Sequence, residues 1–320
     1  MTTSERMEQA DKGGAACTAG DRLRPAWRAW VQAARLPSQM YIFWPLLLGQ
    51  ALAMGEGFSW EIVLVCHFYG LASQLYIVFA NDVADIVTDR RNFSFTLFSG
   101  GSRVLVEGLL SRRQLARAAV LCAVLSALAG VFLGIRHHNW LPLPLILFGL
   151  GLLWAYSYPP LRLSYRGGGE YLQMVGVGLV LPMIGFSAHA GTLAGLPLTL
   201  MPLMLVLSLS CAMATALPDE PSDRADGKRT HAVRFGVAAS QRFILRLNAL
   251  ALVWLVLAPL PGTAFSSRAL LALACAGLWL ICLRLAGARP GERGMLYFVA
   301  AQVTFCLAPM IALTVLLLFS

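Results

Sequence analysis

Apolar residues run through this 320-residue chain in about nine blocks, near 39–56, 60–80, 114–135, 140–157, 170–190, 196–217, 241–260, 267–285 and 295–319. Polar or basic loops separate them. Each block is close to the length of helix that crosses the hydrocarbon core of a bilayer, about 20 residues. Lipid offers no partner to a backbone amide, so spanning segments must be helices or closed barrels. The alternation of barrel strands is absent. The pattern therefore predicts an all-α, multi-pass membrane protein of about nine transmembrane helices. Residues 1–22 are polar and small, without the apolar core of a signal peptide, and read as a disordered tail ahead of a transmembrane domain over 23–320. Residues 24–36 mix Trp27, Trp30 and Val31 with Arg24, Arg28 and Arg35, which suits a short helix lying in the membrane interface.

Composition agrees. The chain is 58% hydrophobic and only 13% charged, about half the charge of a soluble domain. Its net charge of +9 would suggest nucleic acid in a soluble protein. Here the positive-inside rule explains it without nucleic acid. With the N-terminus in the cytoplasm and nine helices threaded, the inner segments hold nearly all loop cations, and the outer loops hold Arg136 and Arg268. Shifting the helix count by one spoils that separation. The expected location is the inner (cytoplasmic) membrane. The seven cysteines are scattered, with no C-x-x-C, and read as small buried hydrophobes.

Two acidic clusters break the apolar pattern: Asn81-Asp82-x-x-Asp85-x-x-x-Asp89 and Asp219-x-x-x-Asp223. Each stands where an apolar block meets a basic inner loop. The chain has only 16 acidic residues, so crowding them at membrane-exit points needs a reason. A carboxylate at the centre of a membrane helix costs roughly 2.5–3.5 kcal/mol, and like charges add to it. A divalent cation relieves both, and carboxylate oxygens are what Mg²⁺ prefers. If the second block continues as a helix, Asn81, Asp82, Asp85 and Asp89 share roughly one face. Acids there oppose the helix dipole, which argues against a plain solvated helix end. Asp219 and Asp223 are followed by Asp226 and by Gly227-Lys228-Arg229-Thr230, a turn with two cations. A Walker A pattern is absent. A third inner loop, residues 156–170, holds Tyr156, Tyr158, Pro159, Pro160 and Arg162. Aromatic faces stabilise carbocations and arginine binds diphosphate. Together these parts describe one reaction class. An allylic diphosphate is anchored by Mg²⁺ and cations, its C–O bond ionises, and the allyl cation alkylates an electron-rich acceptor.

The same residues resemble the intramembrane aromatic prenyltransferase family (UbiA-type). Trp30, Ala33, Ala34, Arg35, Pro45 and Gly49 follow its N-terminal pattern. Residues 81–89 carry its first acidic motif in full, and 219–230 its second. Residues 158–170 and 231–236 look most like the 1,4-dihydroxy-2-naphthoate polyprenyltransferase branch. The resemblance implies nine helices around a central cavity, with the acidic motifs facing each other near the cytoplasmic side. It implies Asn81, Asp82, Asp85, Asp89, Asp219 and Asp223 around Mg²⁺, and Lys228, Arg162 and Arg103 at the diphosphate. Tyr156 or Tyr158 would shield the cation. The implied substrates are a polyprenyl diphosphate and a dihydroxynaphthoate-like acceptor, met among membrane lipids. The chain departs from that branch at Thr215, where Asn is common, and in the loop Phe93–Arg103. Acceptors such as 4-hydroxybenzoate, homogentisate, a tetrapyrrole or a lipid therefore stay open. A secondary transporter would keep its charges nearer the bilayer midplane.

Overall fold

The computed structural model describes residues 26–96 and 98–319. The expected tail, 1–22, lies outside them. The described residues are helical, apart from one isolated bridge between Thr96 and Ser99. The short helix α1 (Ala26–Ala34) precedes α2 (Met40–Leu52), α3 (Trp60–Arg91), α4 (Arg112–His137), α5 (Pro142–Ser157) and α6 (Gly169–Ala190). Then come α7 (Met201–Ala216), the short α8 (Glu220–Ala225) and α9 (His231–Phe235), and α10 (Val237–Leu257), α11 (Phe265–Leu285) and α12 (Arg293–Leu318).

Every predicted apolar block coincides with one of these helices. Six of them, α3, α4, α6, α10, α11 and α12, are long and apolar enough to cross a membrane. The other three are α2 with 13 residues and α5 and α7 with 16 each. At 1.5 Å per residue they reach only about 20–24 Å, short of the roughly 30 Å hydrocarbon core. Length and composition thus give six candidate spans among the described residues and leave the expected count of nine unconfirmed.

The helices pack on one another in succession. Helix α3 packs on α4, α4 on α5, α5 on α6, α6 on α2, α2 on α12, α12 on α11 and α11 on α10, while α7 bridges α6, α10 and α12. Small residues set the closest approach. Gly49 of α2 lies against the Pro182 backbone of α6, and Gly185 of α6 lies against the Leu46 carbonyl of α2. A Cβ at either would overlap backbone, the usual reason membrane helices keep small residues at crossings. Outward faces are apolar, with Leu64, Val120, Leu270 and Leu273 all exposed, as lipid contact allows. The six described cysteines are buried and free.

Helix α1 forms within the segment where the sequence predicts a short helix. Ala29 and Ala33 are buried against α3, while Trp27 is exposed. Helix α3 matters most for the site. Its 32 residues extend about 48 Å, more than the roughly 30 Å of the hydrocarbon core. The inner loop expected over 81–113 therefore begins only at Asn92.

Candidate active site

Continuation of α3 puts Asn81, Asp85 and Asp89 at i, i+4 and i+8 on one face, and all three line a cavity of about 300 Å³. Asn81 Nδ2 donates to Asp85 Oδ2 at 3.0 Å. Asp82 is one residue round the helix and points elsewhere. It pairs with Arg35, accepts from Ser102 Oγ, and takes the Ser102 amide at 3.3 Å. It was expected among the metal ligands. Instead it lies outside the cavity lining and ties α3 to the α1–α2 junction and to the loop after α3.

The second motif forms where α7 ends. Pro218 and Pro221 forbid a continuous helix, and the chain restarts in α8 with Asp219 at its N-cap position and Pro221 in its first turn. Asp219 accepts from Asn92 Nδ2 at 2.6 Å and from the Gly100 amide at 3.2 Å. Asp223 follows one turn later. Gly227, at φ +77°, then reverses the chain, a left-handed conformation that glycine adopts at no steric cost. The reversal brings Lys228 back over Asp223. Its Nζ lies 2.9 Å from Asp85 Oδ2 and 3.2 Å from Asp223 Oδ1, with only 8% of the residue exposed. One ammonium thus spans both acidic motifs, which are 130 or more positions apart in sequence but share a single cavity.

The loop after α3 closes the cavity. Gly101, at φ +71°, runs so close to Asp89 that a Cβ would overlap its carboxylate. Arg103 was expected at a diphosphate. Its Nη1 instead caps the end of α3, donating to the Asp89 carbonyl at 2.9 Å and the Asn92 carbonyl at 3.3 Å, while its guanidinium stacks 4.3 Å over Phe95. The loop after α5 likewise separates its candidates. Tyr156 lines the cavity. Tyr158 does not: its hydroxyl donates to the Ala80 carbonyl at 2.7 Å and its ring stacks on Trp154. Arg162 stacks 3.6 Å over Tyr165, outside the lining. This loop holds the lysine turn in place. The Arg229 amide donates to the Ser164 carbonyl at 3.1 Å, and the His231 amide to Glu170 Oε1 at 2.6 Å.

Four further lining residues belong to the site beyond those the sequence singled out. Arg35 stands seven positions before the apolar core of α2, and Asn92, Gly100 and Ser222 sit beside the acidic motifs. Asn92 and Ser222 carried a local signal, their proximity to the carboxylates, and Arg35 belonged to the N-terminal pattern.

The charged side chains lining the cavity are Asp85, Asp89, Asp219, Asp223, Arg35 and Lys228, a net charge of −2 when all are ionised. Burial pushes the Asp223 carboxyl up to about 7, against the pull of Lys228 and with a further push from Asp219. Burial also raises Asp219, opposed by Asn92 and Lys228. Burial works against the Lys228 charge, but Asp85 and Asp223 overcome it and hold that ammonium well above its ordinary range. Among the described residues, no three acidic, histidine or cysteine side chains converge on one point. The uncompensated negative charge and the hard oxygen donors nevertheless suit a divalent cation of the Mg²⁺ type. Lys228 supplies the positive charge between Asp85 and Asp223 in this structure.

Comparison with known proteins gives a consistent result. Residues 42–301 match the UbiA prenyltransferase family. A 1,4-dihydroxy-2-naphthoate octaprenyltransferase of Escherichia coli (strain K12) is 27% identical over 231 residues, 68% of this chain and 71% of that protein. Among solved structures, a UbiA homologue from Archaeoglobus fulgidus bound to GPP and Mg²⁺ superposes with a TM-score of 0.66 at 16% identity, covering 91% of this chain and all of that one. The apo structure of a UbiA homologue from Aeropyrum pernix K1 gives 0.65 at 15% identity, covering 86% and 98%.

Proposed function

The chain belongs to the UbiA prenyltransferase family, and from that premise we propose that it transfers a polyprenyl group from a polyprenyl diphosphate to 1,4-dihydroxy-2-naphthoate or a close aromatic relative, with Mg²⁺ as cofactor. The observation that carries this reading is the junction at Lys228. Carboxylates from α3 and from the α7–α8 turn meet over one cavity, beside a cation, at the end of an apolar bundle. The naphthoate acceptor is supported by the E. coli relative and by the loop over 158–170.

In this reading Asn81, Asp85, Asp89, Asp219 and Asp223 hold the metal, which when bound supplies positive charge to the departing diphosphate. Asn92 and the Gly100 amide orient Asp219, and Asn81 orients Asp85. Lys228 donates to the diphosphate oxygens, exchanging its carboxylate partners for them. The bond between prenyl C1 and oxygen breaks, and the diphosphate leaves with the electron pair. Tyr156 offers its ring face to the allyl cation. An electron-rich ring carbon of the acceptor attacks, a C–C bond forms, and the ring regains aromaticity by shedding the group that carbon carried. Buried walls keep water from the cation. Arg103, Arg162, Tyr158 and Asp82 act on the loops and helix ends that shape the cavity. The basic residues around the same end of the bundle, Arg91, Arg112, Arg166 and Arg234 among them, support a cytoplasmic active site in the inner membrane.

The test is direct. Membranes containing the protein are incubated with polyprenyl diphosphates, Mg²⁺ and a panel of aromatic acceptors, and products are identified by mass. Prenylated naphthoate product, abolished by EDTA, is expected. Product with a different acceptor would reassign the substrate, and no product with any acceptor would reject the reading.

A further inference from the structure

Helices α10 and α11 stand apart from the cavity, whose lining ends at Thr230. Both are apolar and long enough to cross a membrane, yet exposed arginines interrupt their outer faces: Arg242 and Arg246 on α10 and Arg284 on α11. Hydrogen bonds fix the register of the pair. Trp279 Nε1 donates to the Leu245 carbonyl at 2.9 Å. Gln241 accepts from the Gly287 amide at 2.8 Å and donates to the Ala288 carbonyl at 3.0 Å. Arg242, between Gln241 and Leu245, therefore lies level with Arg284, between Trp279 and Gly287. Arg246 stands one turn deeper, about 14 Å along α10 from its start at Val237. Exposed Leu250, Val253, Leu280 and Leu283 continue the same surface.

Basic loops are ordinary at one side of a membrane protein, but a charge within a span is costly unless it is paired or reaches a headgroup. Arg242 and Arg246, one turn apart on one face, also repel each other. The chain offers them no relief. Among the described residues, none of the three guanidiniums has a hydrogen-bond or ion-pair partner. No acidic residue occurs between Asp226 and Glu292, and Glu292 is turned to the Arg289 amide at 2.8 Å. We propose that this face binds an anionic phospholipid of the leaflet at the end of the bundle that carries the acidic motifs. Arg242, Arg246 and Arg284 hold its phosphodiester oxygens, and its acyl chains lie along the exposed leucines and Val253. A guanidinium fork suits paired phosphate oxygens, and the long stem of Arg246 reaches back along α10 toward the level of Arg242. Basic grooves between membrane helices take anionic headgroups in this way. A second copy of the chain brings no carboxylate to that depth, because its exposed acids among the described residues, Glu107 and Glu292, lie in loops. The assignment does not depend on the transferase reading.

Purified full-length protein in detergent is mixed with dioleoyl phosphatidylglycerol or dioleoyl phosphatidylcholine, and retained lipid is counted by native mass spectrometry. The unsubstituted protein is expected to hold phosphatidylglycerol about tenfold or more tightly than phosphatidylcholine, a preference that shrinks with salt. Arg242→Gln combined with Arg246→Gln should remove most of it, at about fivefold for each cation. Arg246→Lys, which keeps the charge, should retain most of it. Arg113→Gln combined with Arg117→Gln removes equal charge from the exposed start of α4 and should leave the preference intact. Unfolding midpoints measured without added lipid should match the unsubstituted protein in every variant, since no contact within the chain is lost. Equal retention of the two lipids by the unsubstituted protein would overturn the assignment. So would an unchanged preference without Arg242 and Arg246, an equal loss in the α4 control, or a lowered lipid-free midpoint in the α10 variant. Displacement of phosphatidylglycerol by farnesyl diphosphate would give the surface to a prenyl diphosphate instead, and a changed oligomeric state with unchanged lipid retention would give it to a second copy.

Discussion

Replacing Lys228 by Met probes the junction most sharply. The substitution keeps the aliphatic length and removes the ammonium that touches Asp85 at 2.9 Å and Asp223 at 3.2 Å. At an effective dielectric of about 20, one such contact amounts to about 6 kcal/mol of raw attraction, much of it spent on desolvation. Deleting one partner of a buried pair typically costs about 3–5 kcal/mol, because the other charge is stranded. Here two carboxylates are stranded together. At about 2 °C or more per kcal/mol, the unfolding midpoint in detergent with EDTA should fall by about 6 °C or more. The second half of the expectation concerns rescue. With Lys228 gone, the paired carboxylates need a cation more, so saturating Mg²⁺ should raise the midpoint further in Lys228→Met than in the unsubstituted protein. Adding Asp223→Asn should recover part of the loss and reduce the Mg²⁺ effect. An unchanged midpoint in EDTA, or equal Mg²⁺ stabilisation of both proteins, would refute the idea that this lysine neutralises a metal-binding pair.

Asp85→Asn and Asp219→Asn should each lower transfer by about 100-fold or more while the protein still elutes as a folded species, since each removes charge aimed at the leaving group; full activity in both would discard the metal assignment. The pH dependence of the metal-free protein has a defined sign. The fold raises the Asp223 carboxyl from 3.8 to about 7, so the folded state binds the extra proton between those values. Stability from this group is fully present below about pH 4 and is lost as pH rises through 7, by up to about 4 kcal/mol. Unfolding midpoints in EDTA should fall between pH 5 and 8, and a rise over that range would contradict the burial of Asp223. Gly101→Ala should destabilise by about 1–3 kcal/mol and impair transfer, because φ +71° disfavours a side chain and the new methyl would meet the Asp89 carboxylate. Wild-type stability and rate in that variant would show that the loop does not pack on Asp89.

The sequence alone determined the environment and the chemical inventory. Long apolar blocks have one stable solution in lipid, helices that satisfy their own backbones, so the all-α membrane fold was legible residue by residue. Carboxylates stranded at block ends were legible for the same reason: their cost demands a counter-charge. Local spacing also placed Asn81, Asp85 and Asp89 on one helical face, and the prolines around Asp219 announced the break before α8. Facing was another matter. A helix face spans about 100° and a one-residue step turns a side chain by the same amount. Asp82, adjacent to Asn81, thus points to Arg35 rather than into the cavity. Spacing also says nothing about which loop returns to which helix. Only packing brought Lys228 onto Asp85, hung Asp219 from Asn92, and turned Arg103, Tyr158 and Arg162 toward backbone and ring partners outside the cavity. Span count was likewise beyond pattern alone, because prolines and turns shorten α2, α5 and α7 within apolar stretches that look uniform in sequence.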